Sequence, residues 1–208
     1  MRRKAAPDFL LMASVTGLLA IGIVMVYSSS AVLAEYQYGD SFYYVKRQLL
    51  FAILGIVSMY TMMNIDYWVW RQWAGWLLAG CFLLLVIVLI PGVGLVRGGA
   101  QSWLGVGSFS IQPAEFVKLA MILFLAHMMA NHPERIPSFW RGMFPALLLS
   151  GSAFALIMLQ PDLGTGTVLM ATTVVMLFAA GSRMLHLGGL AVLGLAAFVA
   201  LIAAAPYR

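Results

Sequence analysis

The sequence predicts an all-α fold, a polytopic bundle of seven transmembrane helices, and three observations carry that prediction. Hydrophobic residues make up 63% of the chain and charged residues only 9%, against roughly 25% charged in soluble domains. The apolar residues fall in runs of about 20, or ~30 Å as helix, enough to cross the hydrocarbon of a bilayer. Between the runs lie basic residues and clusters of Tyr and Trp, the residues that mark membrane boundaries.

The first span is expected over 9–28, after the basic start Met1-Arg2-Arg3-Lys4. It is longer than the apolar core of an export signal, so it reads as an uncleaved span. Further spans are expected at 48–63, 73–90, 113–130, 142–159, 163–180 and 187–205. Orientation follows from the basic residues. With the N-terminus in the cytoplasm, the inner segments hold Arg2, Arg3, Lys4, Arg71, Arg135, Arg141 and Arg183, and the outer ones Lys46, Arg47, Arg97 and Arg208. Glycines inside the spans (Gly17, Gly22, Gly55, Gly75, Gly80, Gly188, Gly194) read as sites of close helix packing. No repeat or composition break divides 1–208, which reads as one membrane domain.

The segment 91–112 is long for a bundle connection and rich in glycine, and such loops are commonly functional. Trp103, Leu104 and Phe109 suggest a loop packed on the membrane surface. It leads into Gln112-Pro113-Ala114-Glu115, a helix start with Pro at the first position. Glu115 and Lys118 are three apart and share a helix face. An ionisable residue in a span costs at least ~2.5 to 3.5 kcal/mol on insertion scales unless paired or facing a cavity, so the two read as a pair turned inward. Two compatible readings stand, an ion pair at a helix N-terminus and a group that handles substrate.

A second Gln-Pro-acid start occurs at Gln160-Pro161-Asp162, and the assigned topology puts both starts on the outer face with Arg47 and Arg97. Two positive helix ends there suit an anion. The alternative is that each acid caps its own helix.

Other chemistries are excluded or unsupported. A lone cysteine, Cys81, rules out an internal disulfide and a cysteine metal cluster. His127, His132 and His186 lack ligand spacing. The net charge of +5 reflects topology rather than nucleic-acid binding, because no basic run interleaves with aromatics. No cofactor motif is found, and a divalent cation stays open.

MVYSSSA at 25–31, IPGVG at 90–94, SWLGVGSFSIQPAEFVKLA at 102–120, QPDLGTG at 160–166 and the closing APYR together resemble the SEDS family (shape, elongation, division and sporulation), to which FtsW, RodA and SpoVE belong. The resemblance covers essentially the whole chain, with the sporulation members nearest in look. It implies a peptidoglycan glycosyltransferase of the bacterial cell membrane that polymerises lipid II beside a class B penicillin-binding protein, in division, elongation or sporulation. It also implies a fold of ten spans with the catalytic Asp in a large outer loop after the seventh. On that expectation the loop and last three spans fall beyond Arg208, this stretch alone is incomplete and inactive, and Asp162 is a weak substitute base. Carried over are Glu115 and Lys118 as an intramembrane pair, and Gln160, Asp162, Gly164 and Thr165 as an outer polar turn. The substrate-binding candidates are then Gln112, Glu115, Lys118, Gln160, Asp162, Arg47 and Arg97. A lipid-precursor transporter is the alternative, since polar pairs and broken helix starts also serve translocation. A third is a non-catalytic fragment that packs against a partner's helix.

Overall fold

The computed structural model describes residues 8–97, 99–106 and 109–204. The basic start Met1–Lys4 and the closing Pro206-Tyr207-Arg208 lie outside the described residues. Seven α-helices are present among them, in two compact units, Met1–Asp66 and Tyr67–Arg208.

The first unit is a pair of packed helices, α1 (Phe9–Tyr38) and α2 (Tyr43–Asn64). Asp8 caps α1, its Oδ1 accepting from Leu11 N at 3.1 Å. The helix then runs ten residues past the expected end at 28. Hydropathy falls after Ser28, but nothing in SSAVLAEYQY breaks a helix. The stop is Gly39, whose left-handed φ of 67° lets its N–H bond to the Glu35 carbonyl at no steric cost. Asp40 then takes Phe42 N at 3.0 Å and Lys46 Nζ at 2.7 Å, pinning the turn into α2. The Lys46 ammonium, with the Phe42 N–H, holds the Asp40 carboxyl below its ordinary range.

The second unit holds α3 (Tyr67–Val88), α4 (Pro113–Asn131), α5 (Phe144–Leu159), α6 (Leu163–Ala179) and α7 (Met184–Ala204). On α4, Ala114, Val117, Met121 and Leu125 are buried at helical spacing. They join Leu78 and Leu85 of α3, Ile157 of α5, and Leu169 and Leu177 of α6 in one core. Lipid tails are as apolar as leucine, so close packing and interhelical hydrogen bonds do the stabilising here. Gly166 supplies the close packing, since a Cβ there would stand 3.0 Å from the Phe154 ring. Ser150 and Thr173 supply a buried hydrogen bond of 2.9 Å between α5 and α6. The span glycines named above do otherwise: a Cβ at Gly75 would meet the Phe124 ring at an ordinary 3.9 Å, and one at Gly17, Gly22, Gly55, Gly80, Gly188 or Gly194 would meet nothing within 4 Å.

Among the described residues, five helical stretches, Phe9–Tyr38, Tyr43–Asn64, Tyr67–Val88, Pro113–Asn131 and Phe139–Leu159, are long and apolar enough to cross a membrane. α6, with 17 residues, reaches ~25 Å, the short end of the spanning range. The fifth stretch begins as a π-turn, Phe139–Met143. Pro145 has no N–H for the carbonyl four residues back, and a wider turn relieves that misfit.

The expected loop 91–112 is instead a small antiparallel sheet, ordered β1 (Leu95–Arg97), β2 (Ala100–Val106), β3 (Phe109–Ile111). Arg97 pairs with Ala100 across a glycine pair, and Val106 with Phe109. β2 packs on both α3 and α4.

Candidate functional site

At one end of the second unit α3 and α5 finish while α4 and α6 begin. Helix ends leave carbonyls and N–H groups without intrahelical partners, and polar side chains gather here to take them. Asp162 is the N-cap of α6, its Oδ1 accepting from Thr165 N at 3.1 Å. Its Oδ2 accepts from Thr165 Oγ1 at 2.8 Å and from Gln112 Nε2 at 2.7 Å. Gln112 is the N-cap residue of α4, yet it makes no side-chain cap of its own helix. Its amide is spent across the gap, so the two Gln-Pro helix starts are joined directly.

This geometry corrects the picture of an open anion cradle at α6. The carboxylate of Asp162 already occupies the N-terminal position, where the helix dipole and free N–H favour negative charge. Asp162 therefore caps its own helix and bonds Gln112 as well. Gln160, two residues earlier, is wholly buried. Its Nε2 reaches the Leu85 carbonyl near the end of α3 at 3.4 Å, and its Oε1 has no partner.

Glu115 and Lys118 do pair, with Lys118 Nζ 2.7 Å from Glu115 Oε1. Among the described residues the pair stands at the margin of the packed core. The Glu115 side chain is 54% exposed and that of Lys118 20%. The buried line of α4 passes through Ala114, Val117 and Met121, which rotates Glu115 off the core by one residue. Arg97 lies exposed on β1 with its guanidinium 5.3 Å from the Trp103 ring centroid. Arg47 belongs to the first unit, where its guanidinium stands 5.9 Å from the Phe51 ring. Of the seven candidates, Gln112 and Asp162 are thus in contact, Glu115 and Lys118 are in contact, and Gln160, Arg97 and Arg47 serve other partners.

The sequence reading passed over Gln101. Its Nε2 donates to the carbonyls of Val88 at 3.1 Å and Ile90 at 3.2 Å, tying the hairpin to the end of α3. Gly94 permits this, because a Cβ there would overlap the Val88 carbonyl oxygen and press on the Gln101 side chain. Passed over too is a polar chain at the opposite end of the unit. Arg71 donates to Asn131 Oδ1, and Asn131 Nδ2 lies 2.9 Å from His127 Nε2. Arginine can only donate, so the Asn131 oxygen must face it and His127 must accept through Nε2. Among the described residues no three His, Cys, Asp or Glu side chains come together as a metal site.

Comparison with known proteins brings in what the geometry alone does not. A family model described as a cell cycle protein, grouping FtsW, RodA and SpoVE, matches residues 9–208. The stage V sporulation protein E of Bacillus subtilis is 55% identical over 206 residues, covering 99% of this chain and 56% of that protein. A probable peptidoglycan glycosyltransferase FtsW of Geobacter is 35% identical over 208 residues, 57% of its length. A solved structure reported for the structural coordination of polymerization and crosslinking by a peptidoglycan synthase complex aligns at a TM-score of 0.78 with 29% identity. It covers 98% of this chain and 60% of that one. The chain therefore spans little more than half the length of the curated relatives it matches.

Proposed function

The chain belongs to the cell cycle protein family that groups FtsW, RodA and SpoVE, and from that premise we propose that the protein polymerises peptidoglycan strands from lipid II as a membrane glycosyltransferase. The name of the Geobacter relative supports the reaction. The synthase-complex structure, whose title pairs polymerization with crosslinking, supports a crosslinking partner, a class B penicillin-binding protein. The protein sits in the bacterial cell membrane with its N-terminus in the cytoplasm and 91–112 outside. The sporulation relative's 55% identity favours a role in spore formation over general elongation.

The observation that carries the reading is the Gln112–Asp162–Thr165 junction, which fixes two helix starts against each other beside the Glu115–Lys118 pair. A lipid-linked sugar pyrophosphate would lie with its tail in the bilayer and its charge at this outer end. Lys118, steered by Glu115, is a part-buried cation in the first turns of α4, and its charge would stabilise the pyrophosphate as it leaves. Gln112 and Asp162 are positioning residues, since their polar atoms are engaged with each other. Removal of the proton from the attacking hydroxyl falls to a carboxylate acting as general base, which the resemblance puts on the loop after the seventh span.

The test is glycan-strand formation from labelled lipid II by the protein as it occurs in cells, reconstituted in liposomes with the partner's crosslinking chemistry blocked. Strands should form and should fall sharply with Lys118→Met. Movement of lipid II across the bilayer with no strand growth would overturn the polymerase reading and favour a transporter.

A further inference from the structure

We infer that the hairpin β1–β2 is a bilayer-docking element, seated in the outer lipid interface with Arg97 on a lipid phosphate. The starting observation is what the hairpin and its flanks expose. Val96 on β1 is 65% exposed, Ile90 and Val93 in the turns leading into β1 are 48% and 43% exposed, and Ile111 on the neighbouring β3 is 48% exposed. Clustered exposed apolar residues mark an interaction surface.

The occupant follows from where this surface lies. The hairpin is bound down on the end of α3 by Gln101, and β2 packs on α3 and α4. α4 has 19 residues, or ~28 Å, close to the ~30 Å hydrocarbon thickness. Past its far end lie Trp140, 71% exposed, and Arg141, in the π-turn. An aromatic and an arginine thus stand at each end of α4, one hydrocarbon thickness apart, as interfacial anchors do.

The charge fits the same occupant. Arg97 forms no ion pair among the described residues. Its guanidinium lies 5.3 Å from the Trp103 ring centroid, within cation–π range. A fork of donors matches phosphate. On this inference Arg97 reads the surrounding bilayer rather than the pyrophosphate of a substrate.

The experiment puts an environment-sensitive fluorophore on Val96→Cys in a Cys81→Ser background, with the protein in nanodiscs. Val93→Cys gives a second probe, and Glu134→Cys a water-exposed comparator. The expected result is blue-shifted emission at 96 and 93, severalfold weaker iodide quenching than at 134, and strong quenching by shallow lipid nitroxides. Adding Arg97→Gln should raise iodide quenching in phosphatidylglycerol discs and leave it unchanged in phosphate-free galactolipid discs. Iodide quenching at 96 and 93 equal to that at 134 would overturn the docking. An Arg97→Gln effect that is absent, or the same in both lipids, would overturn the phosphate contact. No lipid II is present, so the outcome is independent of the polymerase reading.

Discussion

Replacing Asp162 by alanine removes three hydrogen bonds at once, two from Thr165 and one from Gln112. Loss of an Asp N-cap costs about 1 kcal/mol, within a range of 0.5 to 2. Gln112 then loses its only strong acceptor, and a stranded donor costs about 1 to 3 kcal/mol, toward the lower end because the residue is half-buried. The total is about 2 to 4 kcal/mol. Asp162→Asn should do much less damage. Its Oδ1 still caps Thr165, and Gln112 can turn its amide to present an oxygen to the new Nδ2, so the loss falls to about 1 kcal/mol or below. Unfolding free energies by steric trapping in bicelles would measure both, and a cycle with Gln112→Ala should give a coupling of about 1 to 2 kcal/mol. Polymerisation should follow the same order, Asp162→Asn staying within about tenfold of the parent, whereas loss of a general base removes about 10²- to 10⁴-fold. A folded Asp162→Asn protein with activity down a thousandfold would refute the positioning role. Additive effects of Gln112→Ala and Asp162→Ala would refute the junction itself.

Lys118→Met should destabilise more than the double variant Glu115→Gln/Lys118→Met, because the single change strands a carboxylate in a span; equal losses in the same unfolding assay would count against pairing. Gly166→Ala should cost about 1 to 3 kcal/mol by overpacking Phe154, while Gly151→Ala, with nothing within 4 Å, should gain about 0.5 to 1 kcal/mol of helix propensity. Gln101→Ala should speed amide exchange in Leu95–Arg97 and in the last turn of α3, read by hydrogen-exchange mass spectrometry. Asp40 has its carboxyl depressed by Lys46, so its contribution is complete above the unfolded value and is lost as pH falls through the folded one; Lys46→Met should move the Asp40 titration upward by NMR.

Much of this fold could be read from residue order, and the failures have physical causes. Helix existence followed from apolar runs, because a backbone in lipid must satisfy itself. Helix ends followed from other signals. α1 ends at Gly39, where the chain turns left-handed, and not at Ser28, where hydropathy fades. The hairpin carried a signal that went unused, since Gly98-Gly99 between Leu-Val-Arg and Ala-Gln-Ser-Trp is a two-residue turn pattern. The pairing of Gln112 with Asp162 spans 50 residues, and nothing local encodes it. Both residues were legible because each adjoins a proline, Pro113 at the start of α4 and Pro161 just before the cap of α6. The facing of the Glu115–Lys118 pair was not legible because it depends on helix rotation: the buried line of α4 runs through Ala114 and Val117, and spacing on one helix cannot fix that rotation.

The last turn of α3 is finished by two glutamines that arrive from elsewhere. Gln101 lies 13 residues after Val88, whereas Gln160 lies 75 residues after Leu85. During synthesis at about 5 to 20 residues per second, the hairpin amide is available within a few seconds, but the Leu85 carbonyl waits about 4 to 15 s for its donor. That interval spans the making of α4 and α5. The closing of this helix end is thus ordered in time: the donor from the neighbouring hairpin exists first, and the Gln160 amide only after the turn before α6 has been made.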